Sequence, residues 1–139
     1  MRMQLALASF YIFIENPIFG AGRNLLPALH DLYVNGYITQ SVSDAADTHG
    51  ELFYNAASLG IVGVIYYLIF YIFTTVPFIQ AMKQEATRQV GMAGVAISIV
   101  FFFTGFTHIT FGLSMYASIY ASIQVVLLTA ILNAKYPKT

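Results

Sequence analysis

The 139-residue chain contains no cysteine, which excludes disulfides and thiolate metal sites outright. Its three histidines, His30, His49 and His108, are scattered and lack the i, i+4 pairing of a helical zinc site. Charge is nearly as scarce. Asp, Glu, Lys and Arg make up 9% of the chain, where a soluble domain carries about 25%. None of the four occurs in residues 52–82 or 89–134. The formal net charge is zero, so no electrostatic argument favours a nucleic-acid partner.

What fills those stretches is apolar: 58% of the residues are hydrophobic. Each uncharged run exceeds the roughly 20 residues that cross a bilayer core. The second run, 46 residues, would be about 69 Å long as one helix. A hydrocarbon core is about 30 Å thick, so the run must fold back. The segment 107–112, Thr-His-Ile-Thr-Phe-Gly, interrupts the aliphatic pattern and is the expected turn. The pattern predicts an all-α integral membrane protein with three spanning helices, at about 53–80, 90–107 and 112–133. An N-terminal amphipathic helix and a polar loop precede them.

The few charges are segregated. Lys83 and Arg88 lie between the first two spans, and Lys135 and Lys138 follow the third, whereas Asp31, Asp44, Asp47 and Glu51 precede the first. The positive-inside rule then places the 83–88 loop and the C-terminus in the cytoplasm. Residues 1–51 and the His108 turn face the other side, so the chain divides into an exported segment, 1–51, and a transmembrane region, 52–139. Exporting the first segment needs a signal. The apolar run 3–14 is long enough for one, yet no small-residue cleavage site follows it. Either this run dips into the membrane or an upstream membrane segment is missing; the second is favoured, and the expectation is the C-terminal portion of a larger polytopic protein.

Within the first segment, Glu15-Asn16-Pro17 closes the apolar run, because a proline biases the residue before it away from the helical region. Gly20 and Gly22 follow, and glycine admits tight backbone geometry. In the spans, Ala56, Ala57, Ser58, Gly60 and Gly63, and later Gly91 and Gly94, are small enough to let helices approach closely. His108 and Gln124, polar groups at membrane depth, are expected to hydrogen-bond between helices. The ten tyrosines and twelve phenylalanines read mostly as lipid-facing or interfacial bulk.

Three side chains could carry chemistry. His49 sits at the mouth of the first span, and a histidine, with an ordinary pKa of about 6.5, can take a proton near neutral pH. The competing reading is an interfacial histidine that happens to border a membrane helix. Arg2 and Arg23 are the cationic side chains of the exported segment, and guanidinium groups bind phosphate oxygens through paired donors. Arg2 could equally do no more than follow an initiator methionine, and Arg23 could be a solvated loop residue.

The order of these elements resembles the O-antigen ligase/polymerase family of membrane glycosyltransferases. In that family an arginine opens an amphipathic stretch ending in Pro-x-x-Gly-x-Gly, here Arg2 and Pro17-Ile18-Phe19-Gly20-Ala21-Gly22. An exported loop then leads to His-x10-Gly-x2-Gly at the start of a span, here His49, Gly60 and Gly63. The chain departs from the family pattern at Ala6, where a tryptophan is frequent, at Gly50, where asparagine is common, and at Ser58, where an acid is usual. Family members also have many more spans and a further arginine upstream.

The resemblance implies transfer of a glycan from an undecaprenyl-diphosphate carrier to an acceptor hydroxyl, on lipid A-core or on a growing glycan. The place is the outer face of the bacterial cytoplasmic membrane, and neither a metal nor a cofactor is implied. His49 would act as the base on the acceptor. Arg2, and more remotely Arg23, would hold the diphosphate. Pro17, Gly20, Gly22, Gly60 and Gly63 would be structural. The alternative is a small non-catalytic membrane subunit or scaffold whose glycines pack against partner helices. A transporter fragment is a third option, disfavoured because the spans hold no acidic residue.

Overall fold

The computed structural model describes residues 2–44, 50–108 and 114–135. Among them all regular structure is helical, in the order α1 (Arg2–Glu15), α2 (Leu26–Val34), α3 (Gln40–Ser43), α4 (Glu51–Ala81), a 3-10 turn (Glu85–Thr87), α5 (Arg88–Thr104) and α6 (Ser114–Lys135). Three helical segments are long and apolar enough to cross a membrane: Glu51–Ala81, Glu85–Thr104 and Tyr116–Lys135. The chain is an all-α membrane protein. The three expected spans are present, with ends moved by a few residues. The second stops at Thr104, short of the expected 107. Residues 109–113 of the expected turn region lie outside the described residues.

The chain forms two compact units, Met1–Leu68 with Gly105–Ile109, and Ile69–Thr104 with Thr110–Thr139. In the first, α1 is about 21 Å long at 1.5 Å per residue, too short for a core of about 30 Å. Asn16 closes it by donating its N–H to the Ile12 carbonyl at 3.0 Å, just before Pro17, as the sequence predicts. One face of α1, Leu5, Ala8 and Ile12, meets Leu29 and Leu32 of α2, Val42 of α3 and Ala57 of α4 in a fully apolar core. The opposite face, Met3, Leu7, Phe10 and Ile14, is exposed. Two apolar faces explain why the sequence of α1 has so little polar character: one packs against protein while the other is open to the surroundings.

The second unit packs the C-terminal part of α4 against α5 and α6. Phe78, Ala81 and Ile131 are buried together with Val90, Val95, Leu127 and Leu128 around them. Gly91 and Gly94 permit this. A β-carbon on Gly91 would meet the Phe78 carbonyl at 2.7 Å, and one on Gly94 would collide with the Phe78 ring. The close approach expected of these two glycines is therefore realised within the chain. Gln124 also behaves as expected of a polar residue at membrane depth: its Nε2 donates to Ser98 Oγ at 3.1 Å, joining α6 to α5.

Two expectations need correction. The imidazole of His108 is exposed and makes no helix–helix bond among the described residues. Its backbone carbonyl does the bonding instead, accepting the Glu51 N–H at 3.2 Å. Half of the described tyrosines and phenylalanines are exposed, but Tyr67, Tyr71, Phe78 and Tyr120 are buried. The Tyr120 hydroxyl lies 2.9 Å from Thr74 Oγ1 and 3.3 Å from Ser98 Oγ, so it completes a polar cluster with Gln124 across three helices. In an apolar medium such a hydroxyl must find a partner. A tyrosine in an apolar run does not disclose one.

Gly94→Ala should destabilise the second unit by about 1–3 kcal/mol, the usual range for overpacking, because the Phe78 ring cannot give way without leaving its core. Denaturant titration of the detergent-solubilised protein measures this. Ala93→Val, at the neighbouring exposed position, should change little.

Candidate functional site

The site is built around a discontinuity in α4. Gly60 has φ 65° and ψ −148°, a region of backbone space essentially reserved to glycine. The helix therefore stops at Leu59 and restarts at Ile61. A break inside a membrane helix frees backbone groups, and each one left unsatisfied in hydrocarbon costs several kcal/mol. In an unbroken helix the Ile61 N–H would donate to the Ala57 carbonyl, and the Val62 N–H to Ser58.

Residues 17–22 supply the missing partners. The Ala57 carbonyl accepts the N–H of Ala21 at 2.8 Å, and the Ser58 carbonyl accepts that of Gly22 at 3.0 Å. The freed Ile61 N–H donates to the Pro17 carbonyl at 2.8 Å. The Pro-x-x-Gly-x-Gly segment thus gives new partners to two carbonyls and one N–H group that the break separates.

Both sides require glycine for this docking. Gly20 has φ 68°, and a β-carbon there would collide with the Ser58 and Leu59 backbone. A β-carbon on Gly60 would lie 2.5 Å from the Ile18 carbonyl oxygen. Gly22 has φ 90° with open space around it, so its requirement is conformational only. Gly63 is needed for a different reason: a side chain there would strike the Asn55 carbonyl, across the bend. From the sequence, Gly60 is expected either to pack helices as a small residue or to belong to the structural motif. Its observed role is to break the helix and admit a loop.

The two cationic candidates flank this element in sequence. Arg2 is the first residue of α1. Arg23 directly follows Gly22; its side chain is exposed, while its backbone carbonyl accepts the Tyr54 hydroxyl of α4 at 3.1 Å. This bond ties the loop to α4 one turn before the docking contacts. Tyr54 has no counterpart in the sequence reading. An apolar residue one helical turn ahead of Ala57-Ser58 is its only sequence signal.

His49 lies outside the described residues. The residues after it show how the mouth of α4 is held. Gly50 is buried, and a β-carbon there would lie 2.6 Å from the Phe106 carbonyl oxygen. The N–H groups of Glu51 and Leu52, two of the four that a helix N-terminus leaves without intrahelical partners, donate to the carbonyls of His108 and Gly105 at 3.2 and 3.3 Å. Phe53 and Phe106 meet edge-on, with ring centres 6.4 Å apart. The 105–108 turn therefore caps α4, which the sequence pattern does not disclose. The glycine following the histidine is what allows the turn to come so close.

Between α1 and α4 an open cleft of about 220 Å³ is lined by Ser9, Phe10, Phe13, Leu52, Phe53, Ala56 and Val64. Its one polar side chain, Ser9, donates to the Leu5 carbonyl at 2.9 Å, so the wall is apolar in effect. Ala56 lies before the break in α4 and Val64 after it, so the cleft spans the bend.

No protein-family profile matches the chain, and no curated protein matches it either.

Gly50→Ala should push the 105–108 turn away from α4 and release the Glu51 and Leu52 amides. Hydrogen exchange in the first turn of α4 is expected to accelerate at least tenfold, the equivalent of about 1.4 kcal/mol of lost protection. Unchanged exchange would mean that the close approach to Phe106 is not what holds this cap.

Proposed function

We propose that the chain takes part in surface-polysaccharide assembly, transferring a glycan from an undecaprenyl-diphosphate carrier to an acceptor hydroxyl. The acceptor is lipid A-core or a growing glycan, and the place is the outward face of the bacterial cytoplasmic membrane. One observation carries this reading. The segments 17–22 and 57–61, which hold Gly20 and Gly22 of one motif of the family resemblance and Gly60 of the other, are locked into one hydrogen-bonded element. Motifs with a common origin and task are expected to meet in space. Unrelated coincidences of sequence have no reason to.

In this reading the 83–88 loop and the C-terminus are cytoplasmic, and the mouth of α4 opens outward. His49 takes the proton from the acceptor hydroxyl, which strengthens the nucleophile. The acceptor oxygen forms its bond to the anomeric carbon as the bond from that carbon to the carrier diphosphate breaks. The leaving diphosphate takes the electron pair, and attack from the opposite side inverts the anomeric centre. Arg2 and Arg23 hold the diphosphate and neutralise the charge that develops on it. Fixing both reactants at one membrane surface lowers the entropic cost of their meeting.

His49→Ala, introduced at the native locus, should reduce polymer formation by about 10²- to 10⁴-fold, the usual contribution of a general base. Surface glycans separated on a gel, alongside an immunoblot for the protein in membranes, provide the readout. Loss of the length ladder would indicate polymerisation, and loss of attachment would indicate ligation. A normal glycan profile with normal protein level would sink the catalytic reading and favour a non-catalytic membrane subunit.

A further inference from the structure

We infer that the 17–22 segment is a latch and that α4 has two states: broken at Gly60 when the latch is docked, continuous when it is released. This does not depend on the catalytic reading, because it concerns only the backbone groups at the break.

The acceptors are common to both states. In the docked state the Ala57 and Ser58 carbonyls receive the N–H groups of Ala21 and Gly22, and the Ile61 N–H donates to the Pro17 carbonyl. On release, the Ile61 and Val62 N–H groups can reach the same two carbonyls in ordinary i to i−4 geometry. The helix then leaves none of its own groups unpaired, and the cost of release falls on the Pro17 carbonyl and the Ala21 and Gly22 N–H groups, which must turn to water or other partners. Gly60 fits both states, since glycine tolerates its present φ of 65° and also helical geometry, in which it is merely a poor helix former.

The contacts at the break are also intolerant of side chains. Gly20 lies close against the Ser58-Leu59 backbone, and Gly60 against that of Pro17 and Ile18, closely enough that a β-carbon at either position would collide and block docking. Ala21, between the two glycines, packs against the core formed by α1, α2 and α4, which ties latch position to that core. The consequence reaches the apolar cleft. Its walls include Ala56 and Val64, which flank Gly60, so straightening α4 changes its shape.

The absence of cysteine makes the test direct. Nitroxide labels on Asn55→Cys and Leu68→Cys, in the otherwise intact chain reconstituted in lipid nanodiscs, report the bend. A continuous helix places the two backbone positions about 20 Å apart along its axis, and the bend shortens that separation. In the background of Gly20→Ala, which blocks docking, and separately of Gly60→Ala, which disfavours the broken geometry, the principal distance is expected to lengthen to the continuous-helix value. Helix content by circular dichroism should be maintained or slightly increased. An unchanged short distance in both variants would show a break that does not depend on the latch and would overturn the proposal. Loss of helix content in both would overturn it as well, because docking would then be a condition of folding rather than one of two states.

Discussion

Everything in the first unit depends on the three hydrogen bonds between residues 17–22 and the break in α4. They solve a problem that an interrupted membrane helix always faces: backbone groups separated from their normal partners have no water to turn to. The solution here uses another stretch of backbone rather than side chains. That choice explains the glycines, since two main chains can approach this closely only where neither carries a β-carbon. It also explains why the segment begins with a proline. Pro17 has no N–H to satisfy, and its carbonyl accepts the Ile61 amide.

The same constraint operates at the mouth of α4, with different groups. Here the helix start, rather than a break, leaves amides unpaired, and carbonyls of the 105–108 turn accept them. Gly50 permits the approach as Gly20 and Gly60 do at the break. The segment next to His49 is thus bound to a turn far away in sequence, and Arg23 is bound by its carbonyl to Tyr54. Backbone held by backbone is a stiff mounting for the side chains beside it. This is the feature that the proposed transfer chemistry would use.

The second unit is held differently. Its helices meet through an aromatic ring seated on a glycine, Phe78 on Gly94, and through the buried polar cluster of Thr74, Ser98, Tyr120 and Gln124. Ser98 Oγ also donates to the Gly94 carbonyl at 3.0 Å, so the cluster and the glycine contact share one turn of α5. Among the described residues the Gln124 Oε1 accepts no hydrogen bond, although its amide nitrogen is engaged. Polar contacts between membrane helices are typically worth about 1 kcal/mol or less each. They therefore align the helices more than they stabilise them.

The sequence by itself determined the class, the number of spans and the end of α1. Charge exclusion from hydrocarbon and the length needed to cross it are properties of composition along the chain, and Asn16-Pro17 is a local stop. It also placed Gly91, Gly94 and Gln124 as helix contacts, since small or polar groups in an apolar run have few other uses. The break at Gly60 was decided only by the tertiary structure. Locally, the run from Ala56 to Gly63 is compatible with a continuous helix, and a helix containing a glycine looks the same in sequence whether or not a loop has taken its hydrogen bonds. The capping of α4 by 105–108 and the burial of Tyr120 were hidden for the same reason. In each case the partner is far away along the chain, and a backbone carbonyl or a hydroxyl carries no mark of the group that will reach it.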